Sequence, residues 1–141
     1  MARILAIDYG TKRVGVAVTD PLQIIATGLT TVHAKDIISF LKNYLAKESV
    51  ECFVVGEPKN LNNLPSQMDK HVNHFIKELK KNFPAIPVER MDERYTSKMA
   101  YRTMIGSGIK KKERKENKGL IDEISAVIIL QSYMEKKQHQ P

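Results

Sequence analysis

Arg3-Ile4-Leu5-Ala6-Ile7-Asp8-Tyr9-Gly10-Thr11-Lys12-Arg13-Val14-Gly15-Val16-Ala17-Val18-Thr19-Asp20 reads as two strands joined by a glycine turn. Four consecutive apolar residues lead into Asp8, and apolar, largely β-branched positions follow Arg13, so a hairpin is expected with strands at 3–8 and 14–19. An acid at the tip of a core strand is costly unless something neutralises it, because a buried unpaired charge costs several kcal/mol or shifts its pKa. A bound cation resolves that cost, which makes Asp8 the first candidate metal ligand. Read alone, Asp8 is equally a turn former bonded to backbone, so partners decide its meaning.

Outward from the hairpin, Ile24 to Val32 mixes Thr27, Thr30 and Thr31 with Ile24, Ile25 and Leu29, which suits a third strand. Asp36 is placed to cap a helix, since Ile37, Ile38, Leu41, Tyr44 and Leu45 recur at helical spacing. Glu51-Cys52-Phe53-Val54-Val55-Gly56 is short and almost wholly apolar, as a central parallel strand should be. Residues 57–65, with two prolines and three asparagines, read as a loop. Ser66 is a candidate cap for a second helix with Met68, Val72, Phe75, Ile76 and Leu79 on its inner side. A strand at 88–91, a helix from about Ser97 to Met104 and a last helix from about Ile121 to Glu135 complete the chain. The order β-β-β-α-β-α-β-α-α predicts an α/β fold, an antiparallel three-strand meander entering parallel strands, with helices on both faces of a mixed sheet.

The chain has 141 residues, enough for one domain and no more, with 42% apolar residues and a net charge of +7. The basic excess favours polyanions such as nucleic acid or an acidic membrane surface. No apolar run reaches the ~20 residues of a membrane span and no signal-peptide pattern opens the chain, so a cytoplasmic protein without a membrane partner is expected. Cys52 is the single cysteine and lies in an apolar strand, where an inert buried thiol is expected. Lys110-Lys111-Lys112-Glu113-Arg114-Lys115-Glu116-Asn117-Lys118 holds six basic and two acidic residues. Beside Gly106, Gly108 and Gly119 it is read as a mobile basic loop over 105–120, either a solvated surface or a contact for phosphates.

In an open α/β sheet, functional groups gather at the carboxyl ends of parallel strands. Glu57 follows one such strand, and Asp92 and Glu93 follow another. Asp122 and Glu123 are expected in the first turn of the last helix, with Ser125, Ala126, Ile129 and Tyr133 sharing the side of Asp122. Carboxylates converging from separate elements suit Mg²⁺ or Mn²⁺, hard cations that take oxygen ligands. A pair of such ions about 4 Å apart activates water and stabilises the leaving oxygen in phosphodiester hydrolysis. Individually each acid has a plainer role: Glu57 a solvated loop residue, Glu93 an ion pair with Arg94, Asp122 a helix-start carboxylate. His33, His71, His74 and His139 lack the spacing of a zinc site, and Gly10, Gly15 and Gly56 do not form a phosphate loop.

With these residues assembled, the chain resembles the YqgF/RuvX family, pre-16S rRNA nucleases also described as Holliday-junction-resolvase-like proteins. The resemblance runs over nearly the whole length and rests on four ordered blocks: residues 7–20, Val54-Val55-Gly56-Glu57-Pro58, Asp92-Glu93-Arg94-Tyr95-Thr96-Ser97, and residues 122–130. It implies an RNase H-like fold, a cytoplasmic setting and a part in maturing the 5′ end of small-subunit ribosomal RNA. It also implies that Asp8, Glu93 and Asp122 are the catalytic, metal-holding carboxylates. The family commonly has an apolar residue where Glu57 stands, while related resolvases carry an acid near that strand end, so Glu57 is either an extra ligand or a loop substitution. Ser125 replaces the first of a usual alanine pair, a small-for-small change.

Three functions follow as expectations. The first is a metal-dependent nuclease cutting structured RNA, with Lys12, Arg13 and Arg94 on flanking phosphates and Lys110, Lys111, Lys112, Arg114 and Lys115 extending the contact, on a ribosomal small-subunit precursor. The second is a resolvase of four-way DNA junctions, which calls for a homodimer where the first works as a monomer. The third is a non-catalytic RNA-binding assembly module with an idle acidic edge. An actin-like kinase, suggested by Asp8-x-Gly10-Thr11, needs two such lobes, and the chain has room for one.

Overall fold

The computed structural model describes residues 2–57, 69–92 and 118–138. Five strands form one sheet: β1 (Arg3–Tyr9), β2 (Arg13–Thr19), β3 (Ala26–His33), β4 (Val50–Glu57) and β5 (Val88–Asp92). Their order is β3-β2-β1-β4-β5. β2 is antiparallel to both β1 and β3, whereas β4 is parallel to β1 and β5 to β4. The expected meander and parallel half therefore share β1 as the central strand. That position explains the apolar run: Ile4, Leu5, Ala6 and Ile7 are all buried because both sheet faces are covered there.

Among the described residues, three helices cover those faces: α1 (Ile37–Leu45), α2 (Asp69–Asn82) and α3 (Lys118–Gln138). Leu5, Ile7, Val14, Val16, Phe53 and Val55 form one core with Ile37 and Leu41 of α1 and Val72, Phe75, Ile76 and Leu79 of α2. Ile4, Ala6, Ala17, Cys52 and Val54 form the other with Ala126, Ile129 and Leu130 of α3. The period-2 alternation of β1 and β4 thus serves two separate cores. Cys52 is buried, and burial pushes its thiol up from the usual range, as expected of an inert packing residue.

Apart from small shifts at other element ends, three details differ from the sequence expectation for local reasons. β3 begins at Ala26 because the Asp20 carboxylate accepts from the amides of Ile24 and Ile25, both at 2.7 Å, and so holds them in a turn. Leu22, Ile24 and Ile25 consequently face solvent, at 57%, 66% and 63% exposure. Asp36 precedes α1 but makes no side-chain cap; a 3₁₀ turn over Ala34–Asp36 leads in, and His33 Nδ1 accepts from the Lys35 amide. α3 starts at Lys118, three residues before the expected Ile121. A glycine inside a helix costs only about 1 kcal/mol, too little for Gly119 to stop a helix anchored by buried Ser125, Ala126, Ile129 and Leu130. The expected Ser66 cap, the 57–65 loop beyond its first residue and the 97–104 helix lie outside the described residues.

Candidate active site

The parallel strands β1, β4 and β5 end on one edge of the sheet, and the acids collect there. Glu57 and Asp92, the last residues of β4 and β5, are paired in register. Ile7 pairs with Val55, so Asp8 stands level with Gly56, which itself pairs with Met91. Because Ile4 and Ala6 pack toward α3, the same alternation turns Asp8 to the α3 face of the sheet.

Across the hairpin, Asp8 is paired with Gly15. A Cβ at Gly15 would lie far inside contact of the Asp122 carbonyl oxygen and 3.0 Å from the Glu123 amide nitrogen. The α3 backbone therefore rests directly on β2 at the one position where β2 has no side chain. Opposed residues of an antiparallel pair are about 4.5–5.5 Å apart at Cα, so the Gly15 seat sets Asp122 beside Asp8 on a common face. Gly28 of β3 continues the platform, since a side chain there would collide with the Glu123 carboxylate. Farther along, Ser125 and Ala126 are buried against the sheet and Tyr133 packs on the same core, matching the stripe expected on the side of Asp122.

The carboxylate of Asp122 is neutralised through an ion pair rather than by its helix terminus. As the fifth residue of α3 it lies beyond the unsatisfied first-turn amides, which corrects the expectation that it occupies the first turn. Instead, Arg13 Nε donates to Asp122 Oδ2 at 2.8 Å. Lys12 and Arg13 are both exposed at this edge, and the Lys12 carbonyl accepts from Ala34, bringing the β1–β2 turn against the end of β3. Tyr9, next to Asp8, stacks on Phe75 of α2 with ring centroids 4.4 Å apart, and burial raises its phenol above the ordinary value. The tip of β1 is thereby wedged between α2 on one face and α3 on the other.

Asp8, Asp122, Lys12 and Arg13 thus meet at one edge, with the end of β4 alongside. Glu93, Arg94, Lys110, Lys111, Lys112, Arg114 and Lys115 lie outside the described residues; Glu93 directly follows the last residue of β5. Among the described residues, no group of three or more His, Cys, Asp or Glu side chains is arranged to hold a metal ion. The two aspartates supply only oxygen donors, the chemistry a hard divalent cation takes, and Glu93 would bring a third. Gly15 was the signal missed in the sequence. A glycine between β-branched strand residues marks a point where another backbone can approach closely.

A mixed sheet of order 3-2-1-4-5, helices on both faces and acids at the carboxyl edge define an RNase H-like α/β domain. At the level of fold, T. thermophilus RuvC in complex with Holliday junction substrate aligns over 99% of this chain and 97% of its own, with a TM-score of 0.55 and 14% identity. Residues 2–136 match the family described as "RuvX: Holliday junction resolvase", and the chain belongs to that family. A Christiangramia forsetii protein is 58% identical over 134 residues, covering 95% of this chain and 98% of its own. A Bacteroides thetaiotaomicron protein is 54% identical over 138 residues, covering 98% and 99%. Both relatives are named, provisionally, as pre-16S rRNA nucleases.

Proposed function

We propose that the protein is a divalent-metal-dependent nuclease that hydrolyses phosphodiester bonds of structured RNA, maturing the 5′ end of pre-16S rRNA in the cytoplasm. The observation that carries this reading is the Gly15 seat, which sets Asp122 of α3 beside Asp8 of β1 at the edge where β4 and β5 also end. The names of close relatives over almost the full length of the chain support the RNA substrate.

In this proposal Asp8, Asp122 and Glu93 hold Mg²⁺ or Mn²⁺, with Glu57 as a further acid at the same edge. Such an ion, when bound, supplies Lewis-acid stabilisation of the phosphate oxygens and lowers the pKa of water. Asp8 and Asp122 fix where charge is neutralised, because they come from a strand and a helix and not from one loop. Lys12 and Arg94 bind flanking phosphates, and Arg13 joins them once its pairing with Asp122 is exchanged for a phosphate. Lys110, Lys111, Lys112, Arg114 and Lys115 lengthen this sequence-independent contact.

A junction-resolvase activity is the second reading, favoured by the family description and by the full-length likeness of fold to RuvC. It requires a homodimer so that paired cuts obey two-fold symmetry, whereas the RNA reading works with a monomer. The test is purified protein with labelled precursor rRNA and labelled four-way DNA junctions, with Mg²⁺ or Mn²⁺, wild type beside Asp8→Asn. Cleavage of the RNA by wild type is expected, reduced in the variant by at least about 10²–10³-fold, as when one preorganised electrostatic group is lost. Undiminished metal-dependent cutting by Asp8→Asn overturns the site, and cutting of junctions alone by a dimer transfers the substrate to DNA.

A further inference from the structure

Helix α2 carries a surface that the acidic edge does not account for. Its buried residues Val72, Phe75, Ile76 and Leu79 occupy one side. Every exposed residue of α2 is basic: Lys70, His71, His74, Lys77, Lys80 and Lys81. Of these, Lys70, His74, Lys77 and Lys81 follow one another at i, i+4, i+7 and i+11, a single stripe opposite the buried side. Asp69 and Glu78, the acids of the helix, are only partly exposed; Glu78 flanks the stripe, four residues after His74 and three before Lys81. Among the described residues, Lys70, Lys77 and Lys81 make no ion pair with a carboxylate. An ordinary solvated helix face interleaves both signs of charge; this one has only the partly exposed Glu78 at its flank.

The stripe also has a fixed position relative to the site. The stack of Tyr9 on Phe75 ties the middle of α2 to the residue after Asp8. Arg90 of β5 donates to Asn73, adding a cation beside the first half of the helix. α2 follows β4 and precedes β5, two parallel strands, so it starts at the acidic edge and runs back along the molecule. From Lys70 to Lys81 the stripe is about 16 Å long, the reach of several consecutive phosphates.

The geometry points to α2 as a phosphate-backbone track that continues the substrate path from the Asp8–Asp122 edge down the α2 side of the sheet, holding RNA outside the cleaved segment. It rests on the proposed nuclease reading but is separable from it, because binding is measured without cleavage. The experiment follows binding of a fluorescein-labelled RNA hairpin with a single-stranded 5′ extension, by anisotropy across a salt series without divalent ions. It compares wild type, Lys70→Glu/Lys77→Glu/Lys81→Glu and the milder Lys70→Gln/Lys77→Gln/Lys81→Gln. Loss of three phosphate contacts should flatten the slope of log affinity against log salt by about 2 and weaken binding at least tenfold. With Mg²⁺ present, KM should rise while kcat holds, and a paired reversal of Lys42 and Lys47 near the opposite edge should change neither. If the reversal variant does not fold, as judged by circular dichroism, the glutamine variant carries the same test. An unchanged slope and KM in a folded variant overturn the track while leaving the nuclease reading intact. A flattened slope in a wild-type background that never cuts RNA sinks the nuclease reading and keeps the track.

Discussion

Both faces of the sheet carry an apolar core, but only the α3 face also has a patch of small residues. Toward α1 and α2 the strands present Leu5, Ile7, Val14, Val16, Phe53 and Val55, and the helices answer with Phe75, Ile76 and Leu79. Toward α3 they present Ile4, Cys52 and Val54 against Ile129 and Leu130, but also Gly15, Ala17, Ala6 and Gly28, which α3 meets with Ser125 and Ala126. Large interdigitating side chains fill space and supply most of the transfer free energy. Small residues contribute little of it but let one backbone rest on another, which fixes a helix to a fraction of a residue. Both faces stabilise the domain; the small-residue patch of the α3 face also brings the backbone at Asp122 onto Gly15, the cross-strand neighbour of Asp8.

The largest stability effect should come from the bulky face. Phe53→Ala leaves a cavity beneath α2 and should lower unfolding free energy by about 3–5 kcal/mol in urea denaturation, while Mn²⁺ binding by the remaining folded protein stays unchanged in calorimetry. If Mn²⁺ affinity fell in step with stability, the division of labour between faces would be wrong. Gly15→Ala probes the other face. Forcing α3 off β2 should cost less, about 1–3 kcal/mol, yet it should abolish most of the Mn²⁺ heat by separating the two aspartates. Retained binding with normal affinity would mean that the seat does not position the site.

The smallest effect belongs to a residue on neither face. Hydrogen bonds from the backbone, Ile25 first, hold the Asp20 carboxyl below its ordinary value. A carboxyl depressed in the folded state stabilises above its unfolded value near 3.9, and that contribution is lost as pH falls through the folded value. Asp20→Ala should therefore lower the melting temperature modestly around neutral pH, with the gap closing in acid as pH falls through the depressed folded value. A gap that persists in acid would assign the effect to the turn backbone and not to the charge.

Particular elements show what could be read from the chain alone. The hairpin around Gly10, the apolar β4 and the inner stripe of α2 were legible because their signals are periodic and local. The start of β3 is not legible because Ile24 and Ile25 look like strand residues, and only the Asp20 carboxylate turns them outward. The first turn of α3 was missed because Gly119 reads as a breaker when the buried anchors downstream are not weighed against it. The candidate site was half legible. Asp8 and Asp122 were found by their positions at the ends of elements, and the family resemblance joined them. Arg13 was assigned to phosphates, with no sign of its pairing to Asp122.

By itself the sequence determined the strand and helix periodicities, the carboxylate at the end of the central strand and the basic excess that selects a polyanion, since each is encoded in neighbouring residues. Only the tertiary structure decided that Gly15 is the seat of α3, that Arg13 reaches a carboxylate 109 residues away and that the exposed side of α2 is wholly basic. Those facts depend on which backbones approach and which side chains packing covers, and neither is written in any local pattern.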